Sequence, residues 1–598
     1  MMRHLLVFPV LAVVLAFVSF VFGGHCAAWQ WWIAVMLTVA SGFWRSSAKE
    51  GIRSGALFLG WLALFWVGCG VFAGPAWIDE VAYHFPAVRM LAGGWNPLWN
   101  CSPESALASA GLELGDCWID HIVFMPKPVW TFDAVAWFFT RDVLNPLSPV
   151  LWFLFPAVVG RVWRSLAGTH VVWKMLSVPI LYCLVPCVGY TVDAVVALSA
   201  IGLFLCFEEI LSDRGFDRLS LVVYSFWMMG AKTPGLLHGG FFWAVFLIFV
   251  LWRQRSKLRR LLGVSALVAV LLALVCSTPY LTSIHDYGHP FYPKYSFDEK
   301  RFPVRDLTHD FITERNDDAA QMSYCGLYVN AFISPSLARA WYRWRLARPD
   351  FMPYSRNYGH YPNDSVESSS PIRRSMRCLF WLSVAWLFFG AGKSWRIPAL
   401  SVLLCMGAAP PQMLGYLRYI PWWFSPALFA YIDISRRGEK WSRRALCMIA
   451  LALICMVKPH TLLNRLTYAA TLVDRRLILS KVLEKSDNPP VLRAVIEPGK
   501  GHLKLLLRHV NYSARPRMLP YSRHHREVAK RERLEIAACL FVLDDLDEMR
   551  RVAFRYPVGR MSCVAYVVRT NLVTLPCAAV DRIASLWRQE CYGEGGFE

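Results

Sequence analysis

The sequence predicts an all-α polytopic membrane protein with long outer loops and a small C-terminal α/β domain. Of its 598 residues, 56% are hydrophobic and only 18% are charged, whereas a soluble domain is about 45–50% apolar and about 25% charged. The apolar residues fall in blocks about as long as a bilayer core is thick. The 27 Trp and 23 Tyr suit aromatic rings anchored at the water–lipid boundary.

About thirteen of these blocks are predicted to be transmembrane helices, although several are shorter than the usual ~20 residues. Snorkelling flanks or shielding within a bundle can complete a short block. The predicted spans are 5–23, 26–44, 55–74, 146–160, 175–188, 191–207, 219–231, 236–252, 261–276, 378–390, 397–409, 415–431 and 446–457. The first is expected to be an uncleaved anchor. Residues 129–140 are too few to span, and we expect a helix lying at the membrane interface.

Basic residues in the short loops predict the orientation. With the N-terminus in the cytoplasm, every short-loop basic cluster falls on the cytoplasmic side, as the positive-inside rule requires. These residues are Arg45, Lys49, Arg53, Arg161, Arg164, Lys174, Arg253, Arg255, Lys257, Arg259, Arg260, Lys393, Arg396, Arg436, Arg437, Lys440, Arg443 and Arg444. The net charge of +21 is therefore assigned to membrane orientation. No stretch combines a basic groove with interleaved aromatics, so membrane lipids are expected partners and nucleic acid is not.

This orientation divides the chain into three predicted parts. They are an added N-terminal transmembrane hairpin (1–54), a transmembrane module (55–457) with outer loops 75–128 and 277–377, and an extracytoplasmic C-terminal domain (458–598). The C-terminal part is basic, but long segments cross a membrane largely regardless of charge. Its apolar runs 537–543 and 563–568 suggest strands among basic helical stretches.

The 17 cysteines are scattered and form no CxxC pair or Cys/His cluster with zinc spacing. Cys101 and Cys117 share the first outer loop and could form a disulfide if that loop is oxidised. Asp120 and His121, with Asp116 nearby, could bind a divalent ion or an acceptor, but two acids and one histidine are weak evidence for a metal. We expect no required metal and no cofactor.

The most informative segment is 78–99, which reads IDEVAYHFPAVRMLAGGWNPLW. Asp79 and Glu80 directly follow the third predicted span, and Tyr83 and His84 come next. A carboxylate in a partly dry cleft can act as a general base, because burial raises its pKa toward the working pH. From spacing alone, two solvated loop acids are the simpler interpretation, since acids cost nothing in a water-exposed loop.

An acid followed by YHFP and a later GWNP resembles the first outer loop of the C-class (GT-C) polytopic glycosyltransferases. These include bacterial enzymes similar to the protein O-mannosyltransferases and the aminoarabinose lipid A transferase. In that superfamily the acidic residue of this loop is the catalytic base or lies beside it. The resemblance implies that Asp79 is the base, with Glu80 a close second.

Three further segments resemble the same superfamily, in the same order along the chain. AKTPGL at 231–236 is similar to its TKxxGL, TPYLTSIHDYGHPFYP at 278–293 to its PW…RN…GNPxYP, and LRYIP at 417–421 to its RYxxP. Thr282 and Ser283 replace the usual Arg-Asn pair, and His289 replaces the usual Asn. If that pair helps hold a phosphate, its loss leaves the task to other residues or signals an altered substrate.

The resemblance, which covers about 55–457, implies an inverting glycosyltransferase. Such an enzyme takes a sugar from a polyprenyl-phosphate donor and passes it to a lipid, glycan or protein acceptor at the outer face of the cytoplasmic (bacterial inner) membrane. Asp79 would deprotonate the acceptor, and Glu80 and His84 would orient either Asp79 or the acceptor. Cations would stabilise the departing phosphate. The candidate cations are Arg418, Lys232 and Lys294. The candidate acceptor-side residues are Tyr83, Asp120, His121, His289 and Tyr292.

Other interpretations remain open at this stage. Arg418 and Lys232 lie near the outer ends of spans, where a functional cation and one that snorkels to the interface are both expected. Asp193 begins a span, and we interpret it as a residue that favours the helix dipole. The alternative functions are an O-antigen polymerase or ligase with larger donors, and a lipid or solute transporter. Transporters usually show related halves, and this sequence has no internal repeat.

Overall fold

A computed structural model describes residues 1–43, 47–71, 83–112, 117, 119–140, 148–184, 192–290, 379–391, 393–408 and 425–437, together with four short strands between 492 and 543. Outside those strands the described chain is mostly helical. The helices are α1 (Met2–Val21), α2 (Ala28–Phe43), α3 (Ala48–Val71), α4 (Phe85–Ala92), α5 (Pro103–Ala110), α6 (Ile119–Phe124), α7 (Pro128–Thr140), α8 (Pro149–Ser165), α9 (Val171–Leu184), α10 (Val192–Leu211), α11 (Arg218–Ala231), α12 (Thr233–Arg253), α13 (Arg255–Val275), α14 (Ser277–Tyr287), α15 (Leu379–Gly390), α16 (Lys393–Ala408) and α17 (Ser425–Arg437).

Four of these helices, α1, α10, α12 and α13, are long and apolar enough to cross a membrane. Each predicted span up to residue 276 coincides with a helix, and α15 and α16 coincide with two later ones. Helices such as α12 continue past the apolar block into basic residues, because backbone hydrogen bonds continue whatever the side chain. The span 446–457 lies outside the described residues, and thirteen crossings remain a prediction.

The first helices pack into the centre of the bundle. The Phe8 ring of α1 lies 4.7 Å from Trp31 of α2, 5.1 Å from Phe153 of α8 and 5.8 Å from Phe132 of α7. The pairs with Trp31 and Phe132 are edge-to-face, a geometry that adds about 0.5–1.5 kcal/mol per pair beyond the area buried. Residues of the predicted N-terminal hairpin thus share one core with the helices that follow.

Helix α7 corrects the prediction of a helix lying at the membrane interface. The predicted block 129–140 is helical, but its residues from Pro128 to Trp137 are all buried in the protein. Phe132 and Thr131 are fully inaccessible, and α4, α1 and α2 all pack against the helix. Because both faces are apolar, either face can be buried against protein, and the sequence alone did not distinguish protein from lipid as the neighbour.

Helices α10 and α11 approach closely at Gly202. A Cβ added at Gly202 would lie 2.5 Å from the Cε1 atom of the Tyr224 ring, which is itself fully buried. No side chain larger than hydrogen fits there without a shift of the ring. Small residues at such positions let helix backbones come together in an apolar bundle.

An ion network joins helix termini at one end of the bundle, here called the charged end. Arg161, near the end of α8, donates to Glu209 at the end of α10 (2.6 Å) and to Asp217, the N-cap of α11 (3.0 Å). Arg164 lies 3.6 Å from the same Asp217 carboxylate. Met2, in the first turn of α1, also lies at this end, against Gly160.

Glu208 extends the network to the later helices. Its carboxylate accepts from Ser394 at the start of α16 (3.2 Å) and from Arg436 at the end of α17 (3.3 Å), and it is also paired with Arg214. Its side chain is only 2% exposed. The start of α16 and the ends of α10 and α17 therefore lie together at the charged end, as expected for antiparallel neighbours.

The opposite end of the bundle, here called the loop end, is closed by α4 to α7. Asn96 of the GWNP sequence is 4% exposed, and its Nδ2 donates to the carbonyls of Phe20 (3.0 Å) and Gly24 (2.7 Å) in the α1–α2 turn. Its Oδ1 accepts from the backbone N–H of Leu98 at 2.9 Å. One side chain therefore ties the first outer loop to the α1–α2 turn. Cys101 and Cys117, both among the described residues of this loop, are free thiols in the structure, and their pairing on oxidation remains a prediction.

The strands at the C-terminal side are β1 (Leu492–Val495), β2 (Arg517–Leu519), β3 (Glu535–Ile536) and β4 (Cys539–Leu543), in the sheet order β2-β1-β4-β3. Strand β1 pairs parallel with β2 and antiparallel with β4. The predicted strand 537–543 overlaps β4, and the predicted strand 563–568 lies outside the described residues. An α/β domain over 458–598 remains a prediction.

We predict that Arg161→Met destabilises the protein by about 3 kcal/mol, because it leaves buried carboxylates without their guanidinium partner. Arg164→Met is the matched control, since Arg164 is 53% exposed and contacts the same carboxylate; it should cost no more than about 1 kcal/mol. SDS titration of the purified variants measures both. Equal losses in the two variants would contradict the assignment of Arg161 as the central cation.

We predict that Asn96→Ala destabilises the protein by about 2 kcal/mol, because the variant loses a buried amide that donates to the Phe20 and Gly24 carbonyls and accepts from the Leu98 N–H. Asn100→Ala removes an exposed amide four residues later and should change the free energy of unfolding by less than about 0.5 kcal/mol. Thermal unfolding in detergent compares the two variants, and an unchanged midpoint for Asn96→Ala would rule out the clamp.

Candidate functional site

The predicted acid pair Asp79 and Glu80 lies outside the described residues, as do Tyr292, Lys294 and Arg418. The structure describes the other sequence-predicted candidates, which are Tyr83, His84, Asp120, His121, Lys232 and His289. The first five lie on the elements of the loop end or at the helix termini that face it. His289 follows α14, which packs against α6 of the same end.

Tyr83 and His84 form a single turn that leads into α4, and both are buried. The Tyr83 ring lies between two imidazoles, with its centroid 4.2 Å from that of His84 and 5.2 Å from that of His121 on α6. The sequence positions 83, 84 and 121 are thereby brought into one aromatic cluster. Asp120, next to His121, is partly exposed.

His84 is held by a side chain that the sequence analysis did not single out. The indole Nε1 of Trp130 donates a hydrogen bond to Nδ1 of His84 at 2.9 Å, and both residues are at most 2% exposed. Trp130 lies in the first turn of α7, which begins at Pro128. The backbone N–H of Thr131 donates to the Lys127 carbonyl at 2.8 Å and so completes that turn.

Lys127 is a second residue missed by sequence reasoning, and its side chain is fully buried. Its Nζ donates to the carbonyl of Val123 at 2.9 Å and to that of Met125. The same Nζ lies 5.8 Å from the ring centroids of both Trp95 and Trp130. Burial lowers the pKa of Lys127 to about 7. Carbonyl oxygens and aromatic faces are the groups that make a buried cation tolerable.

Lys232 lies between α11 and α12 in an extended conformation, and Pro234 follows in the first turn of α12. Its Nζ lies 2.8 Å from the Asp193 carboxylate in the first turn of α10, with side chains 10% and 8% exposed. Asp193 was interpreted as a helix-dipole residue, and the structure gives it an ion pair in addition. Lys232, the predicted phosphate ligand, is therefore already paired with a buried acid.

Helix α14 contains most of the TPYLTSIHDYGHPFYP segment. It contacts Thr233, the residue next to Lys232. The Tyr280 hydroxyl and the Thr233 hydroxyl lie 3.1 Å apart, and Thr233 directly follows Lys232. Thr282 donates to the Pro279 carbonyl at 2.9 Å and Ser283 is 2% exposed. Thr282 and Ser283, which replace the Arg-Asn pair, supply no cation.

A cavity of about 270 Å³ lies between α2, α4, α5 and α7, and the residues that line it do not include Tyr83, His84, His121 or Trp130. The Arg89 guanidinium is stacked 4.6 Å above the Trp137 ring at its wall. Gly93 allows the close approach of α4 and α5, since an added Cβ would lie 2.1 Å from the Ser109 carbonyl oxygen. Arg89 was not predicted as a site residue, although it is a lone cation on an otherwise apolar helix.

Within the described ranges no group of three or more His, Cys, Asp or Glu side chains could hold a metal ion. No family model matches the chain, no curated protein is significantly similar to it, and no solved structure matches it.

We predict that Lys232→Met destabilises the protein by about 3 kcal/mol, because the buried Asp193 carboxylate loses its partner. The double variant Lys232→Met/Asp193→Leu should recover at least half of that loss, since neither charge is then left unpaired. SDS titration of the two single variants and the double variant completes the cycle. Additive losses would show that the two side chains are not coupled.

Proposed function

We propose that this protein is an inverting membrane glycosyltransferase of the C class, which uses a polyprenyl-phosphate-linked sugar as donor. One observation supports this most strongly: three of the four segments that resemble the superfamily converge at the loop end. The segment 78–99 contributes Tyr83 and His84, 231–236 contributes Lys232, and 278–293 contributes Tyr280. They are separated by tens to more than a hundred residues in the chain. The second and third segments are in direct contact through Tyr280 and Thr233, and α7 packs against both α4 and α11.

The contacts between these segments run through α7 and α14. An added Cβ on Gly230, beside the 231–236 segment, would lie 3.5 Å from Pro128 Cγ and 3.8 Å from Cys276 Sγ. Phe124 of α6 and Tyr287 of α14 have ring centroids 5.6 Å apart. Since four extended residues span at most about 14 Å, a base at Asp79 would act near Tyr83 and His84.

In the proposed reaction Asp79 removes the proton from an acceptor hydroxyl. The oxygen attacks the anomeric carbon from the face opposite the phosphate, the carbon–oxygen bond to the phosphate breaks, and the configuration inverts. The polyprenyl phosphate leaves with its negative charge, which cations must stabilise as it develops. Lys232 and Arg418 are the proposed cations. The ion pair with Asp193 would keep the Lys232 side chain in place between turnovers.

We further propose that the chain crosses the cytoplasmic membrane of a bacterium many times, with its N-terminus in the cytoplasm and the loop end outside. The basic loop residues that define the positive-inside pattern, such as Arg161 and Arg436, lie at the charged end. A 20-residue helix such as α10, with Asp193 in its first turn and Glu209 in its last, is about 30 Å long. That length separates the two ends by about one bilayer core.

We predict that Asp79→Asn lowers sugar transfer at least 10²-fold, roughly the contribution of a general base. Glu80→Gln should have a smaller effect. Glu104→Gln is the matched control, because Glu104 is an exposed carboxylate of the same loop, and its transfer rate should stay within about twofold of the wild type.

The assay follows the release of polyprenyl phosphate and the formation of glycosylated acceptor by protein reconstituted in nanodiscs with radiolabelled lipid-linked sugars. Equal rates for wild type and Asp79→Asn would remove Asp79 as the base. Movement of intact lipid-linked sugar across the membrane without transfer would instead favour a transporter.

A further inference from the structure

The Trp130–His84 hydrogen bond restricts which proton the imidazole carries. An indole N–H is a donor only, so Nδ1 of His84 must be the acceptor in the 2.9 Å contact. A neutral imidazole has one N–H, and that proton must then lie on Nε2. A proton on Nδ1 would set two N–H donors against each other at a place from which water is excluded, which costs the desolvation penalty of both.

Trp130 cannot easily turn away from this contact. It is 1% exposed and lies in the first turn of α7, next to Pro128. The Lys127 ammonium lies 5.8 Å from its ring centroid, and the Tyr83 ring lies 6.3 Å away at an interplanar angle of 71°. The indole is thus fixed on several sides, and the direction of its N–H is fixed with it.

We propose that Trp130 is a positioning residue, which holds His84 as the neutral Nε2–H tautomer, so that His84 acts in the site as a hydrogen-bond donor through Nε2. A negatively charged oxygen only accepts hydrogen bonds, so an imidazole can orient such a group only through an N–H. This tautomer excludes His84 as a proton acceptor at Nδ1. The catalytic part of the proposal rests on the proposed glycosyltransferase function, whereas the tautomer does not.

The tautomer is measured directly by nitrogen NMR on the full-length protein in nanodiscs at pH 7, with 15N-labelled histidine. The chain has 15 histidines, and His84→Gln identifies the resonances that belong to His84. In the wild type we expect a pyridine-type Nδ1 and a pyrrole-type Nε2. A protonated Nδ1, as a neutral tautomer or as imidazolium, would overturn the proposal without any variant.

Trp130→Phe keeps an aromatic ring and removes the donor. His84 should then show a mixture of tautomers, and kcat for sugar transfer should fall about tenfold with KM for the donor unchanged, as for the loss of one oriented hydrogen bond. Trp243→Phe is the matched control: its Nε1 donates to the Ser225 hydroxyl at 2.7 Å, on helices α12 and α11. It should leave both the His84 spectrum and kcat unchanged.

The two measurements separate the two proposals. An unchanged His84 spectrum in Trp130→Phe would overturn the positioning role, as would an equal fall in kcat for Trp130→Phe and Trp243→Phe. A wild-type protein with the expected tautomer but no sugar transfer would overturn the proposed function and leave the tautomer assignment standing.

Discussion

A charge buried among apolar helices is stable only where an opposite charge or a set of dipoles surrounds it. Lipid offers an apolar side chain the same surroundings as a neighbouring helix does, so polar contacts and close packing have a large part in fixing how such helices associate. At the charged end, Arg161 and Glu208 each bind partners from two or three helices. At the loop end, Lys232 binds Asp193 and Lys127 binds carbonyls. These contacts set which helix termini lie together.

The sequence predicted the helices well, because long apolar blocks leave a membrane helix as almost the only way to satisfy the backbone. It did not predict what covers them. Helix α7 reads as an interface helix from its length, and its burial depends on α4 and α1, which sequence pattern does not place. The GWNP sequence was recognised as a motif, but the contact of Asn96 with the α1–α2 turn joins residues more than 70 positions apart.

The candidate site was predicted by residue type and only partly by geometry. Tyr83, His84, His121 and Lys232 were named from the sequence, and the structure brings the first three into one aromatic cluster. Trp130 and Lys127 were missed because nothing in their local sequence distinguishes them: a tryptophan in an apolar block suggests lipid anchoring, and a lone lysine in a loop suggests solvent. Their importance arises from neighbours such as Trp95, whose position is set by the fold. The acid pair itself lies outside the described residues.

The contact at Gly202 links the middle of the bundle to its loop end. Tyr224 lies against that glycine and belongs to α11, the helix that leads directly into Lys232. A single extra methyl group at position 202 would push α10 and α11 apart. Asp193 lies in the first turn of α10 and Lys232 directly follows α11, so the two helices hold the two partners of one ion pair. A substitution deep in the hydrophobic interior is therefore expected to disturb an ion pair about two helical turns or more away, so residues far from that pair are expected to constrain how this protein can diverge.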